Sequence, residues 1–236
     1  MTKKTKDKEK NIKSTPKNAA SALIRYLEGY GVDYMFGHPG GAAMPIFDAL
    51  VGSSINFVLT RHEQGATHIA DGYARATGKL GVVLVTSGPG ATNTVTGILT
   101  AQMDSVPMLV LTGQTISPNL GKDAFQEADV FGITAPIVKH SYILKNANDI
   151  PRILKEAIHI ATTGRPGPVV IDLPKDIVEK HPFTASLDQD MELPGYTLPP
   201  EPKKEDIQHL AKLLSKSKRP LILAGHGCII SQAQPE

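Results

Sequence analysis

The sequence has no tryptophan, one cysteine, and only six Phe and six Tyr in 236 residues. A single thiol, Cys228, excludes an intrachain disulfide framework and any zinc site built on cysteines. So few rings leave no broad stacking surface for nucleobases. No apolar run approaches the ~20 residues that a membrane-spanning helix needs, so no membrane partner is expected. A strong excess of charge is also missing, with 25 Lys and Arg against 23 Asp and Glu. What imbalance exists collects at the start. Seven lysines against Asp7 and Glu9 put residues 1–17 at +5, which leaves −3 for the rest of the chain. A mildly acidic body argues against a nucleic-acid binder. The basic arm reads as a disordered, solvated extension with nothing to bury. It has no apolar stretch for a signal peptide. With no arginine before Arg25 and two acids present, it fits a transit peptide poorly.

What is present is 41% apolar residues in an alternating pattern. Asn18 suits a helix N-cap, with Ala20, Leu23, Ile24 and Leu27 on one face, and Gly29 and Gly31 stop the helix. Strands are expected at 32–36, 55–60, 82–86, 107–111, 138–144 and 168–173. Helices are expected at 44–50, 63–77, 91–103 and from Asp149 to about Ala161. The apolar runs at 82–86, 107–111 and 168–173 are continuous, as in strands buried on both faces. The fold class is therefore α/β, a parallel sheet covered by helices on both faces. Residues 18–183 form this domain. Residues 184–204, rich in Pro and acids, read as a linker. Residues 205–236, with a helix at 206–214 and a strand at 220–224 running into Gly225-His226-Gly227, read as the start of a second α/β domain. One strand cannot bury its own faces, so the sequence reads as the front of a longer polypeptide.

In such sheets a ligand sits beyond the carboxyl ends of the strands. Those ends carry Gly37–Gly41, Arg61-His62-Glu63, Ser87–Asn93, Thr112–Gln114 and Pro174-Lys175. Between Gln114 and Ala135 lies a polar stretch without period, a length that usually serves a site. Glu63, at the head of a helix, is either a carboxylate stabilised by the helix dipole or a partly buried acid that shares a proton with a ligand. Ser87-Gly88-Pro89-Gly90-Ala91-Thr92-Asn93 joins a buried strand to a helix and can turn backbone N–H groups toward a ligand. It matches neither a Walker loop nor a dinucleotide fingerprint, and a plain tight turn accounts for it as well. Pro39-Gly40-Gly41 is likewise a backbone-exposing turn or a simple reversal. His38, His62 and His68 lack metal-ligand spacing, and Gly-x-Ser-x-Gly is absent.

Several runs carry a resemblance. Arg61-His62-Glu63-Gln64-Gly65-Ala66, with Asp71-Gly72-Tyr73-Ala74-Arg75, resembles the pyrimidine-binding domain of thiamine-diphosphate enzymes. Phe36-Gly37-x-Pro39-Gly40-Gly41-Ala42, Thr86–Asn93, Asp123-Ala124-Phe125-Gln126-Glu127-Ala128-Asp129, Gly164-Arg165-Pro166-Gly167-Pro168 and Asp172-Leu173-Pro174-Lys175-Asp176 narrow it. Over residues 18–180 the chain is similar to the large catalytic subunit of acetolactate synthase. Its relatives pyruvate oxidase, glyoxylate carboligase and sulfoacetaldehyde acetyltransferase fit the Phe125-Gln126 block less well.

The resemblance implies condensation of two 2-oxo acids with decarboxylation. Pyruvate with pyruvate gives 2-acetolactate, and pyruvate with 2-oxobutyrate gives 2-aceto-2-hydroxybutyrate, toward valine, leucine and isoleucine. It implies that Glu63 bonds the aminopyrimidine of thiamine diphosphate and that the backbone of Gly41 faces the reacting centre. Pro39, Gly88 and Asn93 fall to the cofactor pocket. Phe125, Gln126 and Lys175 fall to the substrate channel, where Lys175 steers the anionic acid. Arg165, Gly225 and Gly227 fall to a structural FAD. The Mg²⁺ ligands belong to a Gly-Asp-Gly…Asn motif that the family carries in a third domain and that this sequence lacks, so the chain by itself is expected to be inactive. His38 stands where the family commonly has Tyr. The family further implies a homodimer or tetramer, a small regulatory subunit, and a cytoplasmic location in bacteria or an organellar one in eukaryotes. The alternatives are another thiamine-diphosphate decarboxylase or ligase, or a non-catalytic fragment.

Overall fold

The computed structural model describes residues 16–233, so the basic arm, apart from its last two residues, lies outside the described residues. The chain divides into two compact units, Met1–Gly195 and Tyr196–Glu236.

The first unit opens with helix α1 (Ala19–Tyr30). Asn18 caps it through a reciprocal pair: its side chain accepts from the Ser21 N–H at 3.0 Å, and Ser21 Oγ accepts from the Asn18 N–H at 3.2 Å. Gly31 ends it with φ +94°. The Val32 N–H then bonds the Leu27 carbonyl (3.0 Å), which uses Val32 in closing the helix. That is why β1 (Tyr34–His38) begins two residues later than the apolar run suggests. Helix α2 (Met44–Leu50), β2 (Asn56–Leu59), α3 (Glu63–Thr77) and β3 (Gly81–Val85) follow at nearly the expected bounds.

The helix expected at 91–103 is two helices, α4 (Pro89–Thr92) and α5 (Val95–Asp104). Thr94 bonds back to the Ala91 carbonyl with both its N–H (3.1 Å) and its hydroxyl (2.6 Å), which tightens the turn between them. Strand β4 (Met108–Gln114) precedes the long loop. Then come α6 (Val130–Thr134), β5 (His140–Ile143), α7 (Ile150–Thr162), β6 (Pro168–Pro174) and α8 (Lys175–Glu179); α6, inside the stretch read as irregular, and α8 were not foreseen.

All six strands are parallel, in the order β2-β1-β3-β4-β6-β5. The register aligns Phe36, Val83, Val110 and Val170 in one row across the sheet, all buried in one core cluster. Leu84, Leu111 and Ile171 form the row on the other face and are fully buried too. Each such side chain contributes about 1.5–3 kcal/mol on burial, so the central strands fix the register. From β1 the chain steps out to β2, then returns to β3 on the other side of β1. The β1/β3 boundary is thus a switch point, where the departing loops diverge and leave a crevice.

The stretch read as a linker is partly tied down. Thr184 N–H bonds Asn148 Oδ1 (2.8 Å), Lys155 pairs with Asp188 (3.1 Å), and Glu192 N–H bonds Glu156 Oε1 (2.8 Å). The second unit contains α9 (Lys204–Lys216) and α10 (His226–Ile230). The strand expected at 220–224 is not formed: no neighbour pairs with it among the described residues, and Leu221 and Leu223 are exposed. No helix of the described residues is long and apolar enough to cross a membrane.

Candidate functional site

The crevice at the β1/β3 switch point gathers groups from three strand ends. Glu63 opens α3, just beyond β2. Its N-cap is His62, whose Nδ1 accepts from the Gln64 N–H (3.1 Å). The first-turn position places the Glu63 carboxyl at the positive end of the helix dipole, and the group is 9% exposed. Asn93, just past α4, donates its side-chain amide to Glu63 Oε2 at 2.9 Å. Oε1 lies on the side of Gly90, 3.5 Å from where a Cβ on that residue would stand. It carries no hydrogen bond among the described residues.

Thr86, directly after β3, sits between two glycine backbones. A Cβ on Gly40 or on Gly90 would come within 2.6 Å of its side chain. Its hydroxyl is buried and has no hydrogen-bond partner among the described residues. Such an orphan costs about 1–3 kcal/mol unless something satisfies it. Thr86 thus fills the space that side chains on Gly40 and Gly90 would need, and this closely packed group stands beside the Glu63 carboxyl. His38, at the end of β1, is half-buried and its Nδ1 lies 2.7 Å from the Thr60 carbonyl, so the ring leans toward β2.

The loop at 115–129 lies against this crevice. Gly88 adopts φ +54°, and a Cβ there would meet the Gln126 carbonyl oxygen at 2.6 Å. The loop backbone therefore rests on the turn that leads to Gly90 and Asn93. Asp123 (φ +54°) and Gln126 (φ +55°) occupy the left-handed region, which is uncommon for residues other than glycine. Glu127 holds the loop's own turn, accepting from the N–H groups of Gly121 and Ala124 (the latter 2.8 Å). Those bonds lower the Glu127 carboxyl below its ordinary value. Asp176 holds the start of the loop through the Ser117 N–H (2.8 Å). Asp172, near the end of β6, is 2% exposed and accepts from Thr112 Oγ1 (2.7 Å) and Gln114 Nε2 (2.8 Å). Burial pushes its carboxyl up to about 7, against those two hydrogen bonds.

The expected site residues divide into three groups. Glu63, Gly88 and Asn93 come together in the crevice, and Gln126 reaches it through its backbone. Pro39 and Gly41 stand exposed on the turn after β1, which lies over β4: a Cβ on Gly113 would meet the Ala43 nitrogen at 2.8 Å. Phe125 projects into solvent, 89% exposed, and Lys175 sits directly after β6, at the head of α8. Arg165 is elsewhere. It precedes β6, at the amino end of the strands, where its guanidinium bonds Ser105 Oγ (2.7 Å) and the Met103 carbonyl (2.9 Å) at the foot of α5. Gly225 and Gly227 lie in the second unit, where Gly225 is the N-cap of α10.

Three residues that the sequence places only within longer runs, Thr86, Gln114 and Asp172, take individual roles in the structure. For Asp172 a signal exists, because it is the one acid inside a strand that is otherwise wholly apolar. Such a charge needs partners, and these come from a strand nearly sixty residues away.

Comparison with known proteins adds to this geometry. The family described as thiamine pyrophosphate enzyme, N-terminal TPP binding domain, matches residues 17–133. The chain is 51% identical over 222 residues to the acetolactate synthase large subunit of Buchnera aphidicola subsp. Schizaphis graminum, covering 93% of this chain and 39% of the relative. It is 49% identical over 223 residues to that of Haemophilus influenzae, covering 93% and 39%. It is 52% identical over 213 residues to that of Lactococcus lactis subsp. lactis, covering 90% and 37%. The chain thus spans 37–39% of the length of these curated relatives.

Proposed function

The chain belongs to the thiamine pyrophosphate enzymes, and from that premise we propose that it supplies the pyrimidine-binding part of an acetolactate synthase large subunit. The observation that carries the proposal is the Glu63 carboxyl, nine-tenths buried, bonded on one oxygen by Asn93, with the other beside Gly90 and without a hydrogen bond among the described residues.

The residues present fit the aminopyrimidine end of thiamine diphosphate. When bound, that cofactor supplies the carbon acid and electron sink for decarboxylating one 2-oxo acid and passing its acyl carbon to a second. This chain's own groups do the following. Asn93 fixes the orientation of the Glu63 carboxyl through Oε2. Glu63 Oε1, free of hydrogen bonds among the described residues, would meet a ring nitrogen and pass a proton to or from it. Gly40 and Gly90 leave room for Thr86 to pack between them, which keeps the turns after β1 and β3 close together beside Glu63. Phe125 and Gln126 line the approach for the 2-oxo acid, and Lys175 attracts its carboxylate. Gly41 offers its backbone to the reacting centre.

The same reading assigns Mg²⁺ and the diphosphate to sequence like that of the relatives beyond the matched part. It gives the assembled enzyme a structural FAD reached by Arg165, Gly225 and Gly227. It also gives a homodimeric core, a small regulatory subunit and a cytoplasmic setting.

The test is acetolactate formation from pyruvate by the protein that carries this chain, with thiamine diphosphate, Mg²⁺ and FAD supplied. Turnover that depends on thiamine diphosphate is expected. Saturable thiamine diphosphate binding with no 2-oxo acid consumed would replace the acetolactate assignment with another member of the family.

A further inference from the structure

We propose that Gln114 is a positioning residue: clamped by Asp172, its side-chain amide holds the Ala128 carbonyl and thereby sets Gln126 against the Gly88 turn and fixes the backbone that presents Phe125. The substrate role of those two residues rests on the acetolactate synthase reading; the tether itself does not.

Gln114 ends β4 and is 1% exposed. Every polar atom of its side chain is used. One N–H goes to Asp172 Oδ2 (2.8 Å) and one to the Ala128 carbonyl (2.9 Å), while Oε1 accepts from the Thr115 N–H (2.8 Å). Thr112 covers the other oxygen of Asp172 (2.7 Å). The Thr115 N–H takes Oε1, and Asp172 in its ionised form accepts only, so the amide presents one N–H to Asp172 and its second N–H points at Ala128. The loop end is thereby pinned to the sheet.

The pin matters because the loop would not hold this shape unaided. Asp123 and Gln126 both sit at positive φ, and the Gln126 carbonyl is pressed against Gly88. Nor does sheet stability call for such a pair. The same strands are held elsewhere by Val110 with Val170 and Leu111 with Ile171. Burying a carboxylate costs more than burying another valine would, and the upward push on Asp172 reflects that cost. A buried acid that fixes an amide, which fixes a loop end, accounts for the expense.

The experiment is hydrogen–deuterium exchange on peptides spanning 115–131 of the 236-residue chain, for three forms: unaltered, Gln114→Met, and the swapped pair Gln114→Glu with Asp172→Asn. The swap keeps one buried carboxylate, one amide and their mutual hydrogen bond, and the carboxylate placed at position 114 can still accept from the Thr115 N–H. It has no N–H for Ala128. The expected result is five- to tenfold faster exchange over 118–129 in both variants, the loss of about one hydrogen bond, with the swap melting at the unaltered chain's midpoint. In the protein carrying this chain, the swap should raise the KM for pyruvate several-fold with a smaller change in kcat. Loop exchange within twofold of the unaltered chain in the swapped form would overturn the proposal. So would failure of both variants to fold, which would make the pair a determinant of the sheet instead. Absence of acetolactate formation in the unaltered protein would sink the functional reading and leave the exchange difference standing.

Discussion

Asp172 makes a quantitative demand on how stability varies with pH. Burial raises its carboxyl from an ordinary 3.8 to about 7. A group whose folded value lies above its unfolded value keeps a proton in the folded chain that the unfolded chain has already released. Between those two values the folded state binds more protons, so stability falls as pH rises. Below about pH 4 the group is protonated in both states, and above about pH 7 it is ionised in both, so the slope vanishes outside that window. At ~1.4 kcal/mol per unit, the full penalty for an ionised Asp172 is about 4 kcal/mol, of which about 2–3 kcal/mol develops between pH 5 and pH 8. Asp172→Asn removes the titration. It also sets an amide N–H against that of Gln114, a cost of about 1 kcal/mol that does not vary with pH. Urea unfolding at pH 5, 6, 7 and 8 on both forms isolates the difference. With a slope of roughly 2 kcal/mol per molar urea, the unaltered chain should lose ~1 M more in midpoint than the variant between pH 5 and pH 8. Parallel midpoints across that range would show that Asp172 ionises freely in the folded chain, and the burial argument would fail.

Three further outcomes follow from single contacts. Gly90→Ala places a methyl 2.6 Å from Thr86 Cγ2 and 3.5 Å from Glu63 Oε1; it should cost ~1–3 kcal/mol of stability and weaken thiamine diphosphate binding at least tenfold, read by melting and by ligand titration. Glu127→Gln weakens the bonds that close the loop's turn at Gly121 and Ala124; tryptic cleavage after the exposed Lys122 should speed up several-fold, and an unchanged cleavage rate would remove Glu127 from the loop's support. Asn18→Ala loses the reciprocal cap of α1 and should lower stability by about 1 kcal/mol in urea unfolding.

Much of the fold was legible because its signals are local. The bounds of α3 follow from a carboxylate-headed Ala and Ile stripe closed by Gly78, and those of α2 match the expectation. The wholly apolar runs around Val83, Val110 and Val170 announced a sheet covered on both faces. Where local signals competed, the reading slipped. Val32 looked like strand but closes α1, Thr94 breaks a helix whose apolar pattern runs on, and Leu221–Ala224 have strand composition but no neighbour to pair with. The site was legible only in part for the same reason. Glu63 and the Gly88–Asn93 turn announce themselves by position at strand ends. The packing of Gly40 and Gly90 around Thr86 depends on β1 lying beside β3, and the Asp172–Gln114 contact on β4 lying beside β6. Those are pairings of the folded sheet, with no trace in the spacing of residues along the chain.

In the acetolactate synthase reading, the buried Glu63 carboxyl shares a proton with bound thiamine diphosphate. Glu63→Gln keeps the volume of the side chain, an acceptor for Asn93, and the fold. It removes the acid. In the protein carrying this chain, acetolactate formation from pyruvate should fall ~10²–10⁴-fold, with the thermal midpoint within a few degrees of the unaltered protein. A rate within twofold of the unaltered protein would take Glu63 out of the chemistry.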